Sequence, residues 1–353
     1  MQRVTIVGLG LIGGSIGLGL KQWNEANRKS GEAGLEITGF DTDLEQQQYA
    51  QKIKAVDRTA WDLQRATREA DIVVLCTPVA AMRDAFTDIA PHLKHGAVVT
   101  DTGSTKTDVL AWSTELLPRT VSFVGGHPMA GKAQSIEGAE AGLFQGATWC
   151  VAPSVTATDD AIRNVLGMIA ALGAEPYFVD PTEHDAYVAG ISHLPFMLSA
   201  ALVNTVSADP SWRDMKTLAA SGFRDASRLA AGSPAMHRDI LLTNRVAVRR
   251  WLESYIASLS ALGAILDRDP EAARDDLTEF FTRARDTRAE WATQTTREGE
   301  LIQGTESELS AEGLGGQMSR MLLGGLARRR RLPGEKNDRV GSRTRENGKG
   351  RDR

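Results

Sequence analysis

The sequence predicts an α/β chain in two parts: a parallel sheet with helices over residues 1–180, then an all-α part over residues 181–308. Two observations lead to this prediction. In the first half, short runs rich in β-branched residues alternate with helical patterns, which is typical of a parallel sheet. From about Pro181 onward, long apolar stretches of helical period replace them.

Seven apolar runs are the predicted strands of this sheet. In chain order they are RVTIVG, LEITGF, ADIVVLCTP, GAVVTDTG, SFVGGH, TWCVAP and EPYFVD, with a helix near residues 158–172 before the last. The helical stretches of the second half are HDAYVAGISHLPFMLSAALVNTV, MKTLAASGFRDASRLAAG, DILLTNRVAVRRWLESYIASLSALGAIL and an amphipathic segment at roughly 270–303. We expect a ligand site in the cleft between the two parts.

A glycine-rich turn joins the first strand to the first helix. Gly8, Gly10 and Gly13 have the spacing GxGxxG between a strand and a helix, the arrangement of a Rossmann-type fold. There Gly8 allows the tight turn, Gly10 lets the backbone approach a pyrophosphate, and Gly13 lets the helix pack against the strand. The helix start at Leu11 and Ile12 favours an anion. The turn therefore predicts a dinucleotide site; the alternative is a turn that binds nothing.

An acidic residue, Asp41, ends the second predicted strand. There it would accept hydrogen bonds from both ribose hydroxyls of NAD and repel the 2′-phosphate of NADP. It follows Gly13 by 28 residues, more than the usual distance of about 20, and the stretch WNEANRKSGEAG accounts for the excess as a longer helix and loop. We therefore expect NAD, with NADP as the alternative. An ordinary β-turn aspartate is the other interpretation of Asp41.

The composition excludes several classes of protein. The 353 residues have the apolar fraction and mixed charge of a globular protein, and the first strand begins too early for a signal peptide. We find no apolar run of the ~18 residues that a membrane span needs. Cys76 and Cys150 lie in apolar runs, and no Cys/His cluster has zinc spacing. We therefore expect a cytoplasmic protein with reduced cysteines, no metal and no membrane partner.

The end of the chain, residues 309–353, is polar and basic. From Arg320 to Arg353 there are 12 Lys/Arg and 4 Asp/Glu residues, a net charge of +8, so the rest of the chain carries −12. The tail has too few apolar residues to form a core, and its composition predicts disorder. Binding of nucleic acid is the alternative, which is disfavoured because no aromatic residues stand between the charges.

Polar residues follow the predicted strands of the first part, where a bound cofactor would lie. Thr77 and Pro78 follow one strand in LCTP, and Asp101 ends the next in TDTGSTK. Ser104, in the loop after Asp101, would face the nicotinamide. Its alternative role is to cap the helix that starts near Lys106, and the two roles are compatible.

Two histidines are candidates for proton transfer. His127 follows two glycines and precedes Pro128, so we expect a restricted loop at a strand end. Imidazole suits a base near neutral pH, and His127 would take a hydroxyl proton while hydride leaves the same carbon. Its alternative role is a hydrogen bond that stabilises the turn. His193 lies in GISHLPF, where Pro195 is expected to kink a helix; a cleft wall and a satisfied core position both fit that pattern.

Two arginines, Arg224 and Arg228, stand four residues apart in SGFRDASR and so share a helix face. Guanidinium groups bind carboxylates through two parallel hydrogen bonds, so this pair would suit a dianionic acid. The alternative is a surface ion pair between Asp225 and Arg228.

Seven motifs of this chain, in this order, resemble those of the prephenate/arogenate dehydrogenase family of tyrosine biosynthesis. They are GLGLIGGS (8–15), LCTP (75–78), DTGSTK (101–106), GGHPMAGKAQSIEGAEAGLF (125–144), EHD (183–185), SHLP (192–195) and SGFRDASRLAAGSP (221–234), and they cover roughly residues 1–300. The resemblance implies NAD-dependent oxidative decarboxylation of a cyclohexadienyl acid by a homodimer joined through its helical domain. It implies that His127 is the catalytic base and that Ser104 hydrogen-bonds near the substrate hydroxyl. It also implies that Arg228 holds the substrate carboxylate, and His193 matches the first histidine of SHLP.

Two departures from the family pattern leave the substrate open. Phe196 stands where many prephenate-using members have the last histidine of SHLPH, and His237 stands where many have tryptophan. The first departure resembles the arogenate-using branch, which favours NADP, whereas Asp41 favours NAD. We expect prephenate dehydrogenase activity, with arogenate dehydrogenase or a dual cyclohexadienyl dehydrogenase as alternatives. A β-hydroxyacid dehydrogenase is a rival enzyme class, although no lysine suited to its chemistry stands out. A dinucleotide-sensing protein that uses the basic tail is a rival without catalysis.

Overall fold

A computed structural model describes residues 2–27, 34–132 and 134–309, with side chains described up to residue 293. Eight strands form one sheet within these ranges. In chain order they are β1 Gln2–Val7, β2 Leu35–Phe40, β3 Arg58–Thr59, β4 Ile72–Leu75, β5 Val98–Asp101, β6 Ser122–Pro128, β7 Thr148–Pro153 and β8 Glu175–Phe178. They lie side by side in the order β3-β2-β1-β4-β5-β6-β7-β8. From β1 to β3 successive strands are added on one side of β1, and from β4 onward they are added on its other side. Doubly wound sheets bind ligands at this switch point between β1 and β4.

The sheet contains all seven predicted strands. The additional strand, β3, was not predicted, because two residues carry no periodicity. The predicted parallel sheet is confirmed, with one antiparallel pair that was not predicted: β7 runs antiparallel to β6, with His127 opposite Cys150. A parallel neighbour needs a long crossover, usually a helix. The described residues between these strands form one short 3-10 turn, Ile136–Gly138, and the chain returns in the opposite direction.

The strands have apolar residues at both odd and even positions, which explains why the sheet is buried on both faces. Val4 and Ile6 of β1 and Val74 of β4 belong to one cluster of buried side chains. Val73 and Leu75, the alternate residues of β4, belong to the second. Because successive side chains point to opposite faces, these unbroken apolar runs fit strands covered on both sides by helices.

Thirteen helices accompany the sheet in the described ranges. They are α1 Leu11–Asn27, α2 Leu44–Lys52, α3 Leu63–Thr67, α4 Val79–Ile89, α5 Thr107–Leu116, α6 Asp159–Ala171, α7 Pro181–Val188, α8 Leu194–Ser207, α9 Trp212–Leu218, α10 Ser221–Ser227, α11 Pro234–Thr243, α12 Arg245–Leu266 and α13 Pro270–Leu309. The strands end with β8, and everything described after it is helix or turn, as predicted. The predicted basic tail lies outside the described residues, except for residue 309.

The disturbance expected at Pro195 is present as a π turn. Residues Ala189–His193 form this turn between α7 and α8, and Leu194 N–H donates to the carbonyl of Ala189, five residues earlier. Proline has no N–H and cannot continue the ordinary helical ladder, and π turns inside helices occur frequently at functional sites.

The stretch Pro181–Ser207 corrects one expectation. It is 27 residues long with a mean hydropathy of 1.6 over its most apolar window, so by length and composition it could cross a membrane. The prediction that no apolar run is long enough was therefore wrong, because scattered polar residues hide the length of the stretch. Two of those residues, His184 and Asp185, are buried and hydrogen-bonded to the sheet part. We therefore interpret the stretch as α7, the π turn and α8 of the second part, whose α7 end packs against the sheet.

Candidate active site

The glycine turn has three glycines with different surroundings. Gly8 has φ +93, and a Cβ there would lie 2.7 Å from the backbone of Cys76. A Cβ on Gly13 would lie 1.9 Å from the carbonyl oxygen of Gly8. Gly10 differs, since its Cβ would meet nothing within 4 Å. The chain itself therefore requires glycine at 8 and 13, whereas Gly10 borders open space in which a ligand can approach the backbone.

The helix start next to this turn offers unpaired backbone donors. The first N–H groups of any helix have no intrahelical partner, and α1 begins at Leu11 beside the crevice of the sheet. The side chains of Leu11 and Ile12 pack into the protein, the first fully buried and the second against the core. Any ligand contact of these two residues would therefore use their backbone.

Asp41 lies directly beside the turn. Its Oδ2 accepts the Leu9 N–H at 2.6 Å, and its Oδ1 accepts the Asp43 N–H at 2.9 Å. Asp41 thus already has two backbone partners within the protein, one of them in the glycine turn. Each carboxylate oxygen keeps a second lone pair, so the same group can also accept from ribose hydroxyls. We call the turn Gly8–Gly13 together with Asp41 the cofactor edge.

Thr77 and Pro78 follow β4 beside the cofactor edge. Pro78 is exposed, and the buried Thr77 Oγ1 has no hydrogen-bond partner in the described part of the chain. Cys76 and Cys150 are both free, as predicted. Burial raises the pKa of the Cys76 thiol to about 12, so this side chain stays neutral. Among the described residues, no three His, Cys, Asp or Glu side chains are grouped to hold a metal ion.

Asp101 has a different environment from the one expected. It ends β5 as predicted, but its carboxylate is completely buried and forms an ion pair with Lys106. It also accepts the backbone N–H groups of Gly103 at 2.7 Å and of Gly126 at 3.1 Å. The carboxylate is therefore enclosed by protein donors and joins β5 to β6. A cofactor contact through it has no support in this geometry.

His127 is the second-to-last residue of β6, and does not lie in a loop as expected. Its Nδ1 is 2.9 Å from Nε2 of His184, and Nδ1 of His184 is 2.8 Å from Oδ1 of Asp185. The two imidazoles meet edge to face, with centroids 5.1 Å apart. His127 keeps 9% of its surface exposed, whereas His184 keeps 1%. A chain of three polar groups thus leads from the sheet into α7.

Asp185 ties this chain to a third element. Its Oδ1 also accepts the N–H of Lys106 at 2.8 Å, and its Oδ2 accepts that of Thr107 at 2.9 Å. These are the first donors of α5, whose own cap position provides no side-chain bond. The suggestion that Ser104 caps this helix was therefore wrong. Ser104 is half-buried in the loop just before Thr105, whose hydroxyl is 3.0 Å from that of Thr243.

His193 completes the group. It is fully buried in the π turn, and its Nδ1 lies 3.3 Å from Nδ2 of Asn244, which also donates to the Asp185 carbonyl at 2.7 Å. Its Nε2 is buried with no partner in the described residues. His193 is therefore neither a fully satisfied core histidine nor exposed. We call His127, His184, Asp185, His193 and Asn244 the histidine cluster.

The surroundings of His127 and His193 favour the neutral forms of these two imidazoles. Burial holds the pKa of His127 well below its usual value, and the neighbouring imidazoles and the Lys106 ammonium lower it further. Burial lowers the pKa of His193 to about 4, although the charge of Asp185 opposes the shift. Burial raises the pKa of Asp185, but hydrogen bonds from His184, Thr107 and Lys106 outweigh it and the net shift is downward. At neutral pH, His127 is therefore neutral and has a free lone pair, and the Asp185 carboxylate lies on the far side of His184.

The two arginines do not join the cluster. Arg224 is exposed in α10, and Arg228 is exposed in the 3-10 turn Arg228–Ala231. This turn is held to α8 by a bond from Ala230 N–H to Ser199 Oγ at 3.0 Å. Within the described residues, neither guanidinium forms an ion pair, so the suggested Asp225–Arg228 pair is absent. Both arginines remain available to a carboxylate ligand.

Four site residues were missed by the analysis of the sequence. His184 and Asp185 were visible only as part of the EHD motif and received no role, while Lys106 and Asn244 gave no signal at all. A lysine at a helix start and an asparagine between two helices are ordinary surface patterns, and their burial depends on elements distant in sequence.

This chain is similar to one group of dehydrogenases over most of its length. A family model described as the nucleotide-binding domain of prephenate dehydrogenase matches residues 25–177, and one described as its dimerization domain matches residues 180–283. Prephenate dehydrogenase of Bacillus subtilis is 32% identical over 81% of this chain and 75% of that protein. Cyclohexadienyl dehydrogenase of Zymomonas mobilis is 31% identical over 74% of this chain and 87% of that protein.

Solved structures give the same result. Prephenate dehydrogenase from Aquifex aeolicus, in complex with hydroxyphenyl propionate and NAD+, has a TM-score of 0.72 at 29% identity and covers 82% of this chain and 98% of that one. Synechocystis arogenate dehydrogenase has a TM-score of 0.67 at 30% identity and covers 82% and 100%.

Proposed function

The chain belongs to the prephenate dehydrogenase family, and from this premise we propose that it converts prephenate and NAD to 4-hydroxyphenylpyruvate, carbon dioxide and NADH. The observation that carries the proposal is the position of His127. β6 runs parallel to β5 and β4, so the carboxyl end that holds this imidazole lies at the same sheet edge as the cofactor edge. Cofactors of doubly wound sheets bind at that edge.

The cofactor edge fits a dinucleotide. Gly10 leaves open space for a pyrophosphate beside the α1 helix start, whose dipole and free N–H groups attract anions. Asp41 has lone pairs left for the ribose hydroxyls, and its charge disfavours the 2′-phosphate of NADP. When bound, the nicotinamide accepts the hydride from the substrate.

The remaining site residues accept the proton of the substrate hydroxyl and bind the substrate carboxylate. His127 takes the proton of the ring hydroxyl, and its low pKa keeps it ready to do so at neutral pH. Ser104, in the loop before α5, orients that hydroxyl. Arg228, with Arg224 nearby in sequence, binds a substrate carboxylate through two parallel hydrogen bonds. The ring carboxylate leaves as carbon dioxide, and the new aromatic ring makes the reaction irreversible.

Arogenate is the second candidate substrate, and one observation favours it. Phe196 and His237, the two departures from the family pattern, stack on each other with centroids 4.1 Å apart and planes 3° apart. Phe196 also lies beside His193, at 5.9 Å. Phe196 of this pair stands where many prephenate-using members have a histidine, so at that position the chain would offer the substrate side chain an apolar ring and no charge.

The test offers purified protein prephenate or arogenate, each with NAD or NADP, and follows the absorbance of reduced nicotinamide. We expect the highest kcat/KM with prephenate and NAD. A clear preference for arogenate would replace the substrate in this proposal but keep the reaction class. No turnover of either acid by folded wild-type protein that binds NAD would refute the dehydrogenase function.

We also propose that the chain divides near residue 180 and forms a homodimer through the helical part. Apolar side chains are exposed along α12 and α13, among them Ile256, Leu259 and Phe281, and large exposed apolar patches mark interaction surfaces. Light scattering should give twice the chain mass for the wild type, and Leu259→Glu should shift it towards the monomer. A cytoplasmic location, consistent with two free cysteines, belongs to the same proposal.

A further inference from the structure

The hydrogen bonds of the histidine cluster have a direction that can be deduced from their chemistry. An ionised carboxylate only accepts, and Asp185 already accepts two backbone N–H groups of the α5 start. Nδ1 of His184 must therefore carry the hydrogen in its 2.8 Å bond to Asp185. A neutral His184 then has its lone pair on Nε2.

The same logic passes to the next imidazole. Nε2 of His184 lies 2.9 Å from Nδ1 of His127, and an acceptor there requires that His127 carries its hydrogen on Nδ1. This leaves the lone pair of His127 on Nε2, which has no partner among the described residues. A second proton on His184 would reverse this bond and place the hydrogen of His127 on Nε2, where the base would be blocked. The position of the hydrogen on His127 therefore distinguishes the two arrangements.

We propose that His184 and Asp185 are positioning residues that hold His127 in the Nδ1–H tautomer, with its Nε2 lone pair directed to the substrate. This inference rests on the proposed function for the proton that is moved, but the tautomer itself does not depend on it. When His127 takes the hydroxyl proton, its imidazolium donates through Nδ1 to His184, and the Asp185 carboxylate balances the new charge. No proton needs to leave the chain of three groups in that step.

The arrangement also makes the base depend on the contact between the two parts of the chain. His127 belongs to the sheet, whereas His184 and Asp185 belong to α7, and Asp185 holds α7 against the start of α5. The tautomer is therefore set only when α7 is in place. The other titratable groups that face this chain of three are Lys106, paired with Asp101, Asp108, which is close enough to interact with the Asp185 charge, and His193 from the π turn.

The first experiment is nitrogen NMR on the protein without cofactor or substrate. The six histidines are labelled with ¹⁵N, and His127→Asn assigns the signals of His127. We expect a protonated Nδ1 and an unprotonated Nε2 in the wild type, and loss of this fixed tautomer in His184→Leu. His184→Gln, whose amide oxygen can accept from Nδ1, should retain it. A wild-type His127 with its hydrogen on Nε2 would overturn the proposal, whatever the enzyme acts on.

The second experiment is kinetic. In metal sites, loss of a group that orients a ligating imidazole costs about 10- to 100-fold, and we expect His184→Leu and Asp185→Asn to lower kcat by the same order, with little change in KM for NAD. His184→Gln should recover most of it, and the exposed His95→Leu is the matched control. Without the carboxylate charge the His127 imidazolium is less stable, so the acid limb of kcat/KM should move to lower pH in Asp185→Asn. A full kcat in His184→Leu, or a loss of kcat with an unmoved acid limb, would contradict the role.

Discussion

The cofactor edge and the histidine cluster lie at the same end of the sheet but are constructed differently. The cofactor edge is made of backbone from β1, α1 and the end of β2, and its key position, Gly10, borders open space. The histidine cluster is made of buried side chains from a strand and from helices up to 117 residues away in sequence, between His127 and Asn244. The first region is suited to binding a phosphate-containing ligand, and the second to proton chemistry in a dry environment. Changes in the two regions should therefore have separable effects.

The largest expected effect is that of His127→Asn. Loss of a general base costs ~10²–10⁴-fold, and we expect this loss in kcat while the affinity for NAD, measured by calorimetry, stays near that of the wild type. An equal loss in NAD affinity would show that the two regions are not independent.

Arg228→Ala should weaken binding of the acid substrate and leave NAD binding unchanged. Removing a charge-assisted hydrogen bond costs about 1.5–3 kcal/mol, and we expect KM for the acid to rise about 10- to 100-fold. Arg213→Ala, on exposed α9, is the matched control. If the change instead weakens NAD binding, Arg228 belongs to the cofactor edge.

Two glycine substitutions test the cofactor edge from within. Gly13→Ala should lower the free energy of unfolding by about 1–3 kcal/mol, because its Cβ would overlap the backbone of Gly8. Gly10→Ala should leave thermal stability unchanged and weaken NAD binding, because its Cβ enters the ligand space only. Thermal denaturation and NAD titration of both variants give the comparison; equal destabilisation would mean that Gly10 is also required by the fold.

The histidine cluster should make stability depend on pH. His193 has a folded-state pKa of about 4 and a usual value of 6.5, so between these values the unfolded chain binds a proton that the folded chain does not. Its contribution to stability is complete above pH 6.5 and is lost as the pH falls towards 4, by about 1.4 kcal/mol per pH unit. Urea unfolding between pH 7 and pH 5 should show this slope, and His193→Gln should reduce it, whereas His95→Gln should not.

The smallest expected effect is that of Asp41→Ser. Loss of the negative charge should narrow the preference for NAD over NADP by about tenfold, since one charge-assisted bond to ribose is lost. The ratio of kcat/KM values with the two cofactors measures it. A wild type that already prefers NADP would show that Asp41 acts only as a turn residue.

The sequence by itself determined the seven longer strands, the glycine turn, the change to helices near residue 180 and the position of His127 at a strand end. These features are local, because side-chain alternation, turn chemistry and helix periodicity are properties of neighbouring residues. Prediction from the sequence missed the two-residue strand β3, the antiparallel direction of β7 and the apolar length of Pro181–Ser207, because the local pattern there carried no signal or a misleading one.

Only the tertiary structure decided which polar groups meet. Asp185 replaces Ser104 as the cap of α5, buried Asp101 pairs with Lys106, and His184 joins His127 across 57 residues of sequence. A buried charge or imidazole must find its partners wherever the packed elements bring donors and acceptors together. Residue type and spacing cannot specify those partners, because they depend on how α7 docks against the sheet.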